Sequence, residues 1–175
     1  MLTEAFDLGE QLKLKEVYYK LHQPVWHKHD FSGIDLSLSK WTTIKYLNDD
    51  GNDFHQEINQ LPNDRGGIYM FSIKCPIIPG MTDFPAYIGR AKMTEYQNLR
   101  KRCREYFTKW YRNDERPLIT KLIKYWGSDL YLSFIELGEN DEIQEYEDKL
   151  VRSLLLPFNA DRHDVKINQA IQAFP

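Results

Sequence analysis

Glu147 is the residue in this chain least at ease with its surroundings. Residues 139–156 read as a long helix with Ile143, Tyr146, Leu150, Val151 and Leu154 on its buried face, and Glu147 falls within that face. Its neighbours one turn away are Ile143, Gln144, Leu150 and Val151, so no local cation pairs with it. A carboxylate in an apolar stripe needs either a distant arginine or a bound cation. Charge supplies a second signal. Residues 90–124 hold eleven Lys/Arg against four Asp/Glu, whereas 129–148 hold eight Asp/Glu and no Lys/Arg. A basic block inside a chain of net charge −3 is the footprint of a polyanion binder that net charge conceals. The same block also fits a solvated helix pair facing its own acidic neighbour. Within it, Asn98, Arg102 and Tyr106 recur at i, i+4 and i+8, beside an apolar face of Leu99, Cys103, Phe107 and Trp110. Other reactive residue types carry less. His27-x-His29 with Asp30 has metal-ligand chemistry, but no third or fourth ligand lies at useful spacing. Cys75 and Cys103 are far apart, in no CxxC pattern and in no motif with a histidine, which reads as packed thiols in a reducing cytosol.

The elements that must position these groups follow from periodicity and punctuation. Gly67-Ile68-Tyr69-Met70-Phe71-Ser72-Ile73 is β-branched and aromatic, and a second β-type run lies at Tyr87-Ile88. Pro76, Pro79, Gly80 and Pro85 break the chain between them, giving a hairpin with a long loop. A helix starting near Glu95 or Asn98 carries the basic stripe, and a second follows Pro117 and ends at Gly127. Leu130 to Leu137 reads as a third, largely buried strand. Upstream, residues 4–22 show a fair helical pattern with Gly9 as a blemish. The alternation Ile34-Asp35-Leu36-Ser37-Leu38 suits a strand, and residues 54–61 suit a short helix. Taken one at a time, Tyr69 and Tyr87 are ordinary strand tyrosines and Arg102 is one surface arginine among many.

Together they resemble something specific. Gly67-Ile68-Tyr69, then Tyr87-Ile88-Gly89, then a helix with Asn98, Leu99, Lys101, Arg102, Tyr106 and Phe107, is similar to the GIY-YIG nuclease superfamily. Glu147, Leu150 and Val151, continuing to Pro157 and Asn159, complete the likeness over residues 66–160. The resemblance implies an α+β fold: a small central antiparallel three-stranded sheet flanked by helices, here with an N-terminal extension. The implied organisation is an extension of unknown role over 1–62, the nuclease domain over 63–160 and a tail over 161–175. It further implies Tyr69 as general base, Tyr87 positioning water or phosphate, Arg102 on the phosphate and Tyr106 assisting near the leaving or attacking oxygen. Glu147 would hold Mg²⁺ or Mn²⁺, and Asn159 would orient the frame. The long loop between the tyrosines and the extra residues around 93–97 depart from the common pattern without deleting a functional group.

Phosphodiester hydrolysis suits these residue types. It needs an activated water, a cation on the phosphate oxygen and neutralisation of developing charge. A carboxylate is a hard oxygen ligand suited to Mg²⁺, which needs few protein ligands because it keeps several waters, and an arginine fork matches non-bridging oxygens. An ordinary tyrosine pKa near 10 makes a phenolate base costly unless positive charge lies close. Arg90, Lys92, Arg100, Lys101, Arg104, Lys109 and Arg112 are the expected nucleic-acid contacts. The leading reading is a stand-alone, restriction-type or defence-type DNA endonuclease. The alternatives are a catalytically silent nucleic-acid-binding or scaffold domain and a structure-specific repair nuclease. A single-site enzyme that cuts both strands usually needs a second copy, so a homodimer is the matching hypothesis. No apolar run long enough for a membrane span occurs. The N-terminus has neither a basic start nor an apolar core, which points away from a signal peptide and towards a cytoplasmic protein.

Overall fold

In the computed structural model, which describes residues 2–174, four antiparallel strands form one sheet in the order β1-β4-β2-β3. Met1 and Pro175, the ends of the expected extension and tail, lie outside the described residues. The strands are β1 (Thr42–Lys45), β2 (Gly66–Lys74), β3 (Asp83–Ala91) and β4 (Leu130–Leu137). The helices are α1 (Leu2–Leu14), α2 (Gln23–Trp26), α3 (Leu99–Tyr111), α4 (Pro117–Trp126), α5 (Asn140–Leu154) and α6 (Val165–Ala173). The expected three strands are β2, β3 and β4, and the sheet exceeds that expectation by one. β1 pairs Thr42 with Phe134 through Lys45 with Tyr131, so the N-terminal stretch supplies an edge.

The strand expected at residues 34–38 does not form. Asp35 Oδ1 accepts the Ser37 N–H at 2.9 Å, and Asp30 does the same for Ser32 at 2.8 Å. Such local turns satisfy the backbone from within and compete with a sheet ladder. The helical pattern expected over 4–22 is cut to α1, whose Phe6, Leu8, Leu12 and Leu14 are exposed. Residues 56–60 form a short 3₁₀ turn, and another spans Pro157–Arg162.

Strand periodicity sorts side chains to two faces. Tyr69, Phe71 and Tyr87 join one core with Leu99, Cys103, Tyr106 and Phe107 of α3 and Ile119, Leu122 and Ile123 of α4. Ile68, Ile88 and Ile135 join a second with Leu150 and Val151 of α5. The sheet is therefore sandwiched between α3–α4 and α5. Its edge strand β3 presents Tyr87 to the first layer and, three residues on, Arg90 to the second.

Candidate active site

Asn98 caps α3 by accepting the Lys101 N–H at 2.9 Å, which sets the phase of the helix. From there Arg102 and Tyr106 lie on successive turns of one stripe, and Tyr106 enters the core against β2 and β3. Tyr46, just beyond β1, fastens the same helix. Its hydroxyl donates to Cys103 O at 2.6 Å and takes the Phe107 N–H at 3.3 Å.

Three phenols meet where these elements cross. Tyr69 Oη lies 2.7 Å from Tyr106 Oη, which lies 3.1 Å from Tyr87 Oη. An arginine donates at each end. Arg102 Nη2 reaches Tyr106 Oη at 3.2 Å, and Arg116 Nη2 reaches Tyr87 Oη at 3.3 Å. The Tyr69 ring lies across the backbone of Gly89, its register partner on β3. A Cβ at Gly89 would stand 2.6 Å from Tyr69 Cζ, so the second glycine of the motif makes room for the first tyrosine. Burial first, then the neighbouring phenols, push Tyr69 well above the usual tyrosine range, while the Arg102 guanidinium works the other way. Tyr106 is likewise held up by burial. Arg102 itself is lowered by burial but carried above its ordinary value by Tyr69, Tyr106 and Glu105, and it stays charged. In the resting protein, then, Tyr69 and Tyr106 are protonated, and hydrogen bonds link all three phenols.

Glu147 has no solvent exposure. Its partners are arginines distant in sequence. Arg90 Nη1 lies 2.6 Å from Oε2, Arg162 Nη2 lies 2.7 Å from Oε2, and Arg162 Nη1 bonds Oε1. Asp148 Oδ1 accepts from both guanidiniums at 3.1 and 3.3 Å. Of the two remedies for a buried carboxylate, the protein uses distant arginines.

Asn159 is also fully buried and holds β3 itself. Its Oδ1 accepts the Ile88 N–H at 2.8 Å and its Nδ2 donates to Ile88 O at 2.9 Å. Those backbone groups lie on the open edge of the sheet, so the amide stands in for a missing strand between Tyr87 and Gly89.

A cavity of about 380 Å³ at the β3 edge collects Tyr69, Tyr87, Arg90, Lys92, Arg102, Arg116, Glu147 and Arg162. Five cations line it against one carboxylate. Tyr106 lies behind the other two phenols, and Asn159 stands under β3 outside the lining. Of the expected nucleic-acid contacts, only Arg90 and Lys92 reach this cavity. Lys101, Arg104, Lys109 and Arg112 flank a shallow groove along α3, where Arg104 also stacks 4.5 Å over the Phe54 ring. Arg100 is committed elsewhere, donating to Leu61 O at 2.7 Å and Asn59 O at 2.8 Å.

Sequence reasoning missed Arg116, Arg162 and Tyr46. Arg116 has one weak signal, its place just before Pro117 at a helix start. Arg162 follows Asn159 by one turn. Tyr46 continues the alternation begun by Ile44.

For a divalent cation the donor chemistry is suitable but sparse. Among the described residues no group of three or more His, Cys, Asp or Glu gathers. Glu147 is a hard oxygen donor bordering the cavity and is the residue that would hold Mg²⁺ or Mn²⁺, but both its oxygens are engaged by Arg90 and Arg162. Nor does any helix among the described residues have the length and apolarity to cross a membrane. No family model, curated protein or solved structure matches the chain.

Proposed function

We propose that this chain is a divalent-metal-dependent endonuclease of GIY-YIG type that hydrolyses phosphodiester bonds in DNA. One observation carries the reading: Tyr69, Tyr87, Arg102 and Glu147, drawn from four separate elements, line a single cationic cavity. A phosphodiester in that cavity meets Arg102 and Arg116 beside the phenols, and their planar forks offset charge on its non-bridging oxygens. Tyr69 first releases its own phenolic proton to solvent and, as the phenolate, takes a proton from the attacking water and returns to the neutral phenol. Its hydrogen bond to Tyr106, which Arg102 also supports, spreads the phenolate's charge over the phenol cluster and lowers the cost of forming it. Tyr87, steadied by Arg116, holds the water or the phosphate in line. A divalent cation held by Glu147 would supply Lewis acidity at the phosphate oxygens. The groove of Lys101, Arg104, Lys109 and Arg112 extends the positive surface along a backbone. Cutting both strands calls for a second copy, so a homodimer belongs to the proposal.

The test is cleavage of supercoiled plasmid with Mg²⁺ or Mn²⁺, beside chelator, Glu147→Gln and Arg102→Ala. Discrete products lost in both variants are the expected result, and a smear would mark a non-specific or structure-led nuclease. The alternative of a silent DNA-binding domain is favoured by one observation, the double arginine clamp on Glu147. DNA binding without cleavage under every metal condition would decide for it.

A further inference from the structure

Glu147 borders the cavity and yet is wholly covered, because Arg90 and Arg162 lie over it. With Asp148 these side chains form a cluster of two positive and two negative groups, closed on itself. The arginines are not closed off. Their side chains are 30% and 27% exposed, and both line the cavity.

We propose that Arg90 and Arg162 are a phosphate-released latch on Glu147: an entering phosphodiester draws the guanidiniums off the carboxylate, which then accepts the divalent cation. The inference rests on the nuclease reading above and adds an order of binding to it. A dication arriving alone must displace charge-assisted bonds on both carboxylate oxygens and then sit beside two guanidiniums with no added anion. A phosphate arriving alone strips Glu147 of both counter-ions beside the apolar residues of α5 and sets a second anion next to it. When both arrive, each guanidinium exchanges one oxyanion for another and the carboxylate exchanges one cation for another. Neither penalty is incurred. The two ligands therefore bind cooperatively, and by linkage each tightens the other by the same factor.

Arg162 is the better handle, since it contacts both Glu147 oxygens while Arg90 contacts one. Mn²⁺ binding is followed by the electron paramagnetic resonance of the free ion, in a Tyr69→Phe background that leaves a short DNA duplex uncut. The duplex alone and Glu147→Gln serve as controls. In the parent, duplex is expected to tighten Mn²⁺ at least about tenfold. Arg162→Gln is expected to tighten duplex-free Mn²⁺ binding by about tenfold and to reduce the duplex effect to about threefold or less. Arg90→Gln should act in the same direction more weakly. Arg162→Lys keeps the charge without the fork and covers the case in which the glutamine variant does not fold, with an intermediate shift expected. If duplex-free Mn²⁺ binding is the same in parent and Arg162 variants but lost in Glu147→Gln, the latch is wrong and the nuclease reading stands. If no protein binds Mn²⁺ with or without duplex, both fail.

Discussion

Asn159 gives the sharpest test of how the site is held. Asn159→Ala deletes two hydrogen bonds, at 2.8 and 2.9 Å, to the N–H and C=O of Ile88. Neither backbone group has a strand beyond it, and Ile88 is buried, so both become unpartnered. Each lost partner costs about 1–3 kcal/mol, and two on one residue fall short of additive, which gives about 3 kcal/mol. With a urea m-value of about 2 kcal/mol/M, the midpoint should fall by about 1.5 M at unchanged m. Asn159→Asp sharpens the argument. Its carboxylate keeps the acceptor for Ile88 N–H but turns a second oxygen toward Ile88 O. Only the protonated acid restores the donor. Burial and that carbonyl raise the introduced group's folded pKa above its unfolded value, so its proton is held more tightly in the folded state. Its share of stability is then present below the unfolded pKa and lost as pH rises through the folded one. Asn159→Asp should approach wild type near pH 4 and fall to the alanine level by pH 8, as read by urea unfolding at each pH. A loss below about 1 kcal/mol for Asn159→Ala, or an Asn159→Asp variant that gains on wild type as pH rises, would refute the strand-surrogate role.

Three further outcomes follow from the same geometry. Gly89→Ala drives a methyl into the Tyr69 ring and should cost about 1–3 kcal/mol in urea unfolding, with Tyr69→Ala in the same chain recovering part of it. Tyr106→Phe removes the hydroxyl shared by Tyr69, Tyr87 and Arg102, and plasmid cleavage should slow by about 10²–10⁴-fold while Mn²⁺ affinity is retained. Burial holds Tyr46, Tyr69 and Tyr106 well above a tyrosine's ordinary value of 10.0. Above pH 10 the unfolded chain therefore sheds protons the folded one keeps, and stability must fall as pH rises. Urea midpoints between pH 9 and 11.5 should decline steeply, and less steeply in Tyr46→Phe.

The elements that carry the site were legible because their signals are local. β2 has a β-branched and aromatic run, Asn98 begins α3, and Pro117 and Gly127 bracket α4. Glu147 was legible as an anomaly because helical periodicity alone puts it on a buried face. What supports the site was hidden because it is non-local. Nothing near Glu147 in sequence announces Arg90 or Arg162, and one arginine in a basic block looks like another. Arg100 shows the converse failure: it shares the block's charge but spends its donors on two carbonyls of the preceding loop. β1 escaped notice as a short run with only Ile44 buried, while residues 34–38 displayed the better alternation. Asp35 and Ser37 turned that alternation into a local turn.

The position of β3 at the sheet edge explains why one cavity can hold groups from both faces. On an interior strand, Tyr87 and Arg90 would open into separate layers with the sheet between them. At the edge, both layers end on the same solvent front, and the phenol cluster of the α3 side stands beside the carboxylate of the α5 side. That arrangement leaves β3 with an unpaired row of backbone groups, which Asn159 covers at Ile88. The other edge, β1, answers a different need. It delivers Tyr46 to α3, so the helix carrying Arg102 and Tyr106 is fixed both through its cap and through its middle. Part of the N-terminal stretch is therefore a support of the cavity's geometry, and Tyr46→Phe tests it from a distance. Loss of the bond to Cys103 O should loosen α3 and slow cleavage while every cavity side chain remains in place.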